Sequence, residues 1–196
     1  MHDLDLGRSL LTIARRAIGA ELGEPSDRDD ECAQARHAAL DAPGATFVTL
    51  LKHGALRGCI GTLEAKRPLG IDVRVNAVAA AFADPRFPRL GADEFMSTSV
   101  EVSLLSAPEP MVVDGEQALL AQLRPGIDGV VLAFADRRAT FLPQVWDTLP
   151  EPSDFLAELK RKAGLPADFW SAGMRLSRYG VSKWRESDLR VLEKTS

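Results

Sequence analysis

The chain is short of the residues from which several kinds of site are built. Its 196 residues include two cysteines, Cys32 and Cys59, and three histidines, His2, His37 and His53. Two widely separated cysteines make no disulfide framework. The histidines lack His-Glu-x-x-His spacing and there is no Cys-x-x-Cys, so no metal centre is expected; Cys59, His53 and a carboxylate form the one conceivable ligand set. A Ser-His-Asp signature, a P-loop and a dinucleotide fingerprint are all missing, and nothing in the pattern calls for a cofactor. Positive charge is in deficit: 24 Lys and Arg against 28 Asp and Glu leave a net charge of −4, with a pI near 5.5. That argues against general nucleic-acid binding, which leaves a basic footprint. No apolar run approaches the roughly 18 residues of a membrane span. The start, Met1-His2-Asp3-Leu4-Asp5, lacks the basic and apolar regions of a signal peptide. The expectation is a cytoplasmic protein with reduced thiols and no membrane attachment.

What is present suits an ordinary globular fold. Hydrophobic residues make up 45% of the chain, enough for a sizeable core in one domain or in a main domain with a small insert. The most informative stretch is Leu56-Arg57-Gly58-Cys59-Ile60-Gly61. It follows Thr46-Phe47-Val48-Thr49-Leu50-Leu51-Lys52, and His53-Gly54 between the two runs predicts a tight hairpin. An uninterrupted register pairs Lys52 with Ala55, Leu51 with Leu56, Leu50 with Arg57, Thr49 with Gly58, Val48 with Cys59 and Phe47 with Ile60. The two-residue period then puts Phe47, Thr49, Leu51, Leu56 and Ile60 on a core face, and Arg57 with Cys59 on the other. Gly58 and Gly61 leave room for another backbone or a ligand to approach.

Around this hairpin the periodicity predicts a helix over 4–22 and a second opening at 27–30 and running to 40. A third spans 69–82, entered through Pro68 and stopped by Asp84-Pro85-Arg86-Phe87-Pro88. Asp93-Glu94-Phe95 reads as a short turn. Residues 99–106 alternate as a half-buried strand. Residues 116–123 form a short helix, and 129–135 with 139–142 form a hairpin around Asp136-Arg137-Arg138. Pro143 opens a short helix to Leu149. Residues 155–163 are helical, with Ser153 as N-cap and Gly164 as the stop. Residues 174–184 read as one final strand. The pattern is α+β, with a mainly antiparallel sheet and flanking helices.

These motifs resemble the AMMECR domain family, whose bacterial and archaeal members are called AmmeMemoRadiSam system protein A. Leu56-Arg57-Gly58-Cys59-Ile60-Gly61-Thr62 is similar to the family signature. The likeness continues in order through Asn76-Ala77, Ala80-Ala81-Phe82, Asp84-Pro85-Arg86-Phe87, Val100-Glu101-Val102-Ser103-Leu104-Leu105, Gly126-Ile127-Asp128-Gly129-Val130, Thr140-Phe141-Leu142-Pro143-Gln144-Val145-Trp146 and Lys162-Ala163-Gly164-Leu165. The resemblance implies a larger part holding both termini and a smaller inserted part within residues 1–187, followed by a tail at 188–196. It implies an association with a Memo-like protein and a radical S-adenosylmethionine protein, and it implies no particular reaction.

The candidate site gathers on the hairpin. Cys59 is a nucleophile if a nearby cation lowers its pKa; otherwise it is a small packed residue. Arg57 is the nearest cation by sequence, and Glu101, on the polar face of its strand, is the carboxylate to move a proton. Arg57 and Arg86 carry planar forks suited to an anionic ligand, with Gly58 and Gly61 exposing backbone beside them. The structural alternatives pair Arg57 with Glu101 and Arg86 with Asp84. Lys162 is a secondary candidate, while Lys160-Arg161-Lys162 as a run reads as a solvated face. Two functions follow: an enzyme or enzyme subunit using Cys59, or a non-catalytic module that docks a partner protein or a small anion through the hairpin.

Overall fold

A computed structural model describes residues 3–24 and 37–188. In chain order the elements are α1 (Leu4–Glu21), β1 (Pro43–Lys52), β2 (Ala55–Gly61), β3 (Arg67–Pro68), α2 (Leu69–Phe82), α3 (Ala92–Phe95), β4 (Thr98–Leu105), β5 (Glu109–Pro110), α4 (Glu116–Gln122), β6 (Gly129–Phe134), β7 (Arg137–Phe141), α5 (Pro152–Lys162), β8 (Arg175–Tyr179) and β9 (Val181–Arg185). The fold is α+β. One compact unit comprises Met1–Leu105 with Ser182–Ser196, and a smaller one comprises Ser106–Val181.

The larger unit is a sheet in the order β2-β1-β4-β9, with β3 paired to the start of β1. Asp3 caps α1 by accepting the Leu6 N–H at 3.0 Å, and the stripe Leu6, Leu10, Leu11, Ala14, Ala17 and Ile18 is buried. α2 buries Leu69, Val73, Ala77, Ala80 and Ala81 in the same core as Val48, Leu50, Val100 and Val102. The alanines bring the helix backbone very close to the sheet: a Cβ on Gly58 would lie 2.2 Å from the Ala80 carbonyl oxygen. Gly58 thus admits another backbone, the first of the two uses its lack of a side chain allowed.

The hairpin turn forms as expected. His53 and Gly54 both take positive φ, 51° and 82°, as a two-residue primed turn requires. Lys52 pairs with Ala55 and Leu51 with Leu56, but a bulge then shifts the register: Leu50 pairs with Gly58, Thr49 with Cys59, Val48 with Ile60 and Phe47 with Gly61. Arg57 is the extra residue. A one-residue slip exchanges faces; Thr46, Val48 and Leu50 are the fully buried residues of β1 and Leu56 stands 44% exposed. The expected core face of Phe47, Thr49, Leu51 and Leu56 is therefore corrected. β4, expected to be half-buried, is buried on both faces through Val100–Ser103.

In the smaller unit the sheet order is β5-β8-β6-β7. Phe155, Leu156 and Leu159 of α5 join Leu119, Val130, Leu132 and Leu176 in its core, where Trp146 stacks on Phe155 with ring centroids 3.7 Å apart. Lys160, placed on a solvated face by its sequence context, is instead fully buried; its ammonium meets Glu116 at 2.7 Å and the Ala167 carbonyl at 3.0 Å. The N-cap of α5 is Glu151, and Ser153 lies inside the helix. The β6–β7 turn is tighter than expected because Ala135 accepts φ 51°, which frees Arg137 and Arg138 to pair within β7. The expected single strand at 174–184 is two, β8 and β9, in different sheets. The ends of this unit meet: the Ser106 N–H donates to the Gly180 carbonyl at 2.9 Å, and the Gly180 N–H donates to Ser106 Oγ at 3.0 Å. The expected helix opening at 27–30 and the tail beyond 188 lie outside the described residues, except for a 3-10 turn at Ala38–Asp41.

Candidate functional site

β2 is an edge strand, and an edge leaves backbone donors and acceptors without a ladder partner. At Cys59 the turn after α2 supplies them. Asp84 Oδ2 accepts the Cys59 N–H at 2.8 Å, and Arg86 Nη2 donates to the Cys59 carbonyl at 3.1 Å. The two side chains also hold each other, with Arg86 Nε 2.9 Å from Asp84 Oδ1 and Nη2 2.7 Å from Oδ2. Pro85 between them ends the helical path, and the Arg86 N–H closes the turn on Asp84 Oδ1 at 3.1 Å. Asp84-Pro85-Arg86 therefore clasps the backbone of Cys59 as a neighbouring strand would. Hydrogen bonding from Arg86, helped by the Cys59 and Arg86 N–H groups, outweighs burial and holds the Asp84 carboxyl far below its usual pKa.

The Cys59 thiol is free and half-buried. The Thr49 hydroxyl donates to its sulfur at 3.3 Å. The Arg86 guanidinium has its pKa raised, chiefly by Asp84 against the effect of burial, with further contributions from Cys59.

The bulge has a second result. Thr49 pairs with Cys59 on one side and with Glu101 of β4 on the other, so Cys59, Thr49 and Glu101 form a row across three strands. This row is on the sheet face opposite Val48 and Leu50, which pack with α1 and α2. Two strand spacings put Cys59 and Glu101 roughly 10 Å apart. Glu101 is buried and bonded by Lys183 at 2.9 Å and Arg185 at 2.6 Å. Burial pushes its carboxyl up, but these two cations outweigh it and the pKa is lowered.

The other residues expected at the site have different surroundings. Arg57 is buried and bonds Glu94 Oε2 at 2.8 Å and the Arg89 carbonyl at 3.3 Å. Lys52 shares Glu94 at 2.6 Å, and hydrogen bonds from Arg57 and then Lys52 lower the Glu94 pKa from 4.5 to about 2. Arg57 Nη1 is buried without a hydrogen-bond partner. Neither the anticipated Arg57–Glu101 pair nor an Arg57–Cys59 hydrogen bond occurs among the described residues; the Arg86–Asp84 pair does. A Cβ on Gly61 would meet the Phe47 ring at 2.3 Å, so that space is filled by packing. Lys162, in the smaller unit, donates to the Thr140 carbonyl at 3.0 Å. No three His, Cys, Asp or Glu side chains gather to hold a metal among the described residues.

Sequence reasoning missed Thr49, Lys183 and Arg185 as neighbours of the row, because the bulge that aligns them is a tertiary feature. It also missed Asp72, which is fully buried and accepts from Thr46, Thr62, Arg67 and Asn76. Asp72 and Asn76, four residues apart within the apolar pattern of α2, were the available signal.

The fold and this site define a class: an α+β protein with a clasped edge-strand cysteine and a smaller sheet unit inserted before the last strand. The AMMECR1 family model matches residues 11–184, and the chain belongs to the AMMECR1 family. A Methanothermobacter thermautotrophicus protein is 37% identical over 195 residues, with 93% of this chain and 95% of that protein covered. A Sulfolobus acidocaldarius protein is 36% identical over 178 residues, covering 86% and 75%. The crystal structure of the uncharacterized protein PH0010 from Pyrococcus horikoshii superposes with a TM-score of 0.73 at 30% identity, covering 92% of this chain and 91% of that one.

Proposed function

We propose that the Cys59 face is the working site of an enzyme or enzyme subunit in which the Cys59 thiolate is the nucleophile. The observation that carries this reading is the clasp. It fixes the Cys59 backbone on both sides and sets the Arg86 guanidinium beside it, while Thr49 donates to the sulfur. Arg86 takes the thiolate-supporting role that sequence spacing suggested for Arg57, and Arg57 braces the hairpin through Glu94. Glu101, ionised and paired, is a weak base. Its part is to hold Lys183 and Arg185 in place for the far, anionic end of a substrate that spans the row. The test is the alkylation rate of Cys59 at neutral pH. Arg86→Gln and Thr49→Val are each expected to slow it at least fivefold with the fold intact; unchanged rates in both would remove the claim.

A second reading has its own observation. Leu56 in the hairpin is 44% exposed and Met96, just after the Glu94 that ties to Arg57, is 87% exposed. This supports a docking patch at the hairpin, where a cytoplasmic partner of the Memo-like or radical S-adenosylmethionine type would bind. Leu56→Glu with Met96→Glu is expected to abolish co-purification with such a partner; capture equal to the unaltered protein's would reject it.

A further inference from the structure

The smaller unit holds a cleft of about 550 Å³, within the size range of small-molecule sites. It lies wholly inside that unit, on one side of its sheet. Its walls include Val131, Ala133, Met174 and Ser177, and its cationic groups are Arg137, Arg138 and Arg175 against the single carboxylate of Asp136. The register explains the arrangement. Ala133 of β6 pairs with Arg138 of β7 on one side and with Arg175 of β8 on the other. Three residues in one row project to the same face, so two arginines flank a methyl group, roughly 10 Å apart at their backbones. Leu132 and Leu176, one position along, are buried in the core, which puts Ala133 and Arg175 on the opposite face. Among the described lining residues three arginines stand with one carboxylate, in a chain of net charge −4.

The chemistry of the cleft is specific in two respects. Arg175 is exposed, and its guanidinium makes no hydrogen bond or ion pair among the described residues. Arg138 presents five donors in a planar fork, enough for more than one acceptor at a time. The floor between them is apolar and small, as Val131 and Ala133 leave space that a longer side chain would fill. A flat apolar body fits the floor, and a planar or tetrahedral oxyanion fits the gap between the guanidinium groups. We propose that this cleft binds a small organic oxyanion, its phosphate or carboxylate group held by Arg175 and Arg138 and its apolar body lying over Ala133 and Val131. The site is separate from the Cys59 row and needs none of its residues.

The experiment is a titration of isotope-labelled full-length protein with phenyl phosphate and, in parallel, with benzoate, followed by amide chemical shifts; benzyl alcohol is the uncharged control. Saturable shifts along β6, β7 and β8 are expected with at least one of the two anions, and which one saturates first distinguishes phosphate from carboxylate recognition. Arg175→Gln and Arg138→Gln are each expected to weaken the binding about tenfold, the order of one charge-assisted contact. Ala133→Leu, which fills the floor without touching charge, is expected to weaken it similarly. Arg161→Gln, outside the cleft, leaves it unchanged. Shifts that fail to saturate with both anions, or that persist undiminished in both arginine variants, or that are matched by benzyl alcohol, overturn the proposal.

Discussion

Asp84 and Arg86 are where single side chains do the most to shape the site. Asp84 is ionised in the folded protein far below the usual pH, so it binds fewer protons folded than unfolded near pH 4. Its contribution to stability is complete above its unfolded pKa of about 3.9 and is lost as pH falls below it. Glu94 behaves alike, losing its contribution between 4.5 and about 2. Denaturant midpoints measured from pH 7 down to pH 3 are therefore expected to fall on the acid side, and the fall is expected to be shallower in Asp84→Asn. An equally steep fall in that variant would show that the clasp carries no such linkage. Cys59, Arg86 and Glu101 were legible as candidates because each is a chemically capable residue in a recognisable stretch. The partners that define their roles were not: Asp84 is 25 residues from Cys59 and Arg185 is 84 from Glu101. Sequence spacing favoured Arg57 because it is near in the chain, whereas its guanidinium is committed to Glu94.

At the scale of elements, the site depends on the bulge in β2 and on the close approach of α2. Gly58→Ala would drive a methyl group into the Ala80 carbonyl. Because that obstacle is helix backbone, the strand or helix must move. The expected cost is about 1–3 kcal/mol in denaturant unfolding, together with a changed reactivity of the adjacent Cys59. Wild-type stability for this variant would mean that helix and strand are less tightly apposed than described. α2 is tied to the sheet by its polar pair as well. Asp72→Ala leaves buried donors on Thr46 and Asn76 without their acceptor and Arg67 without its partner, and it is expected to destabilise by about 3–5 kcal/mol, read from the same unfolding curves. Helix ends were well legible, since Pro68 and Pro85 bracket 69–82 and match α2 to the residue. The hairpin turn was legible from His53-Gly54. The register beyond it was not, because the sequence offers the same alternation to either pairing until Arg57 finds Glu94.

At the scale of the whole molecule, the smaller unit carries its own core around Phe155, Leu159 and Leu132, and its ends are joined through Ser106 and Gly180. An insert whose ends meet can fold without its host. Residues 106–181 expressed alone are expected to give dispersed amide spectra and a cooperative thermal transition; a collapsed, non-cooperative product would show that the core needs the remainder of the chain. The α+β class followed from the alternation of elements, whereas a smaller inserted part was implied by the resemblance alone. That residues 174–184 divide between two sheets did not follow, since Gly180 is a mild signal inside a continuous run of strand-forming residues. No helix of the described residues is long and apolar enough to cross a membrane.

The most direct test of the account is the rate of Cys59 alkylation in the folded protein at neutral pH, with Cys32→Ala removing the other thiol. The clasp, the Thr49 hydroxyl and the Arg86 guanidinium predict rapid labelling of the folded protein, slowed in Arg86→Gln. A thiol that stays unlabelled until the protein is denatured would contradict the account and leave Cys59 as a packing residue of the edge strand.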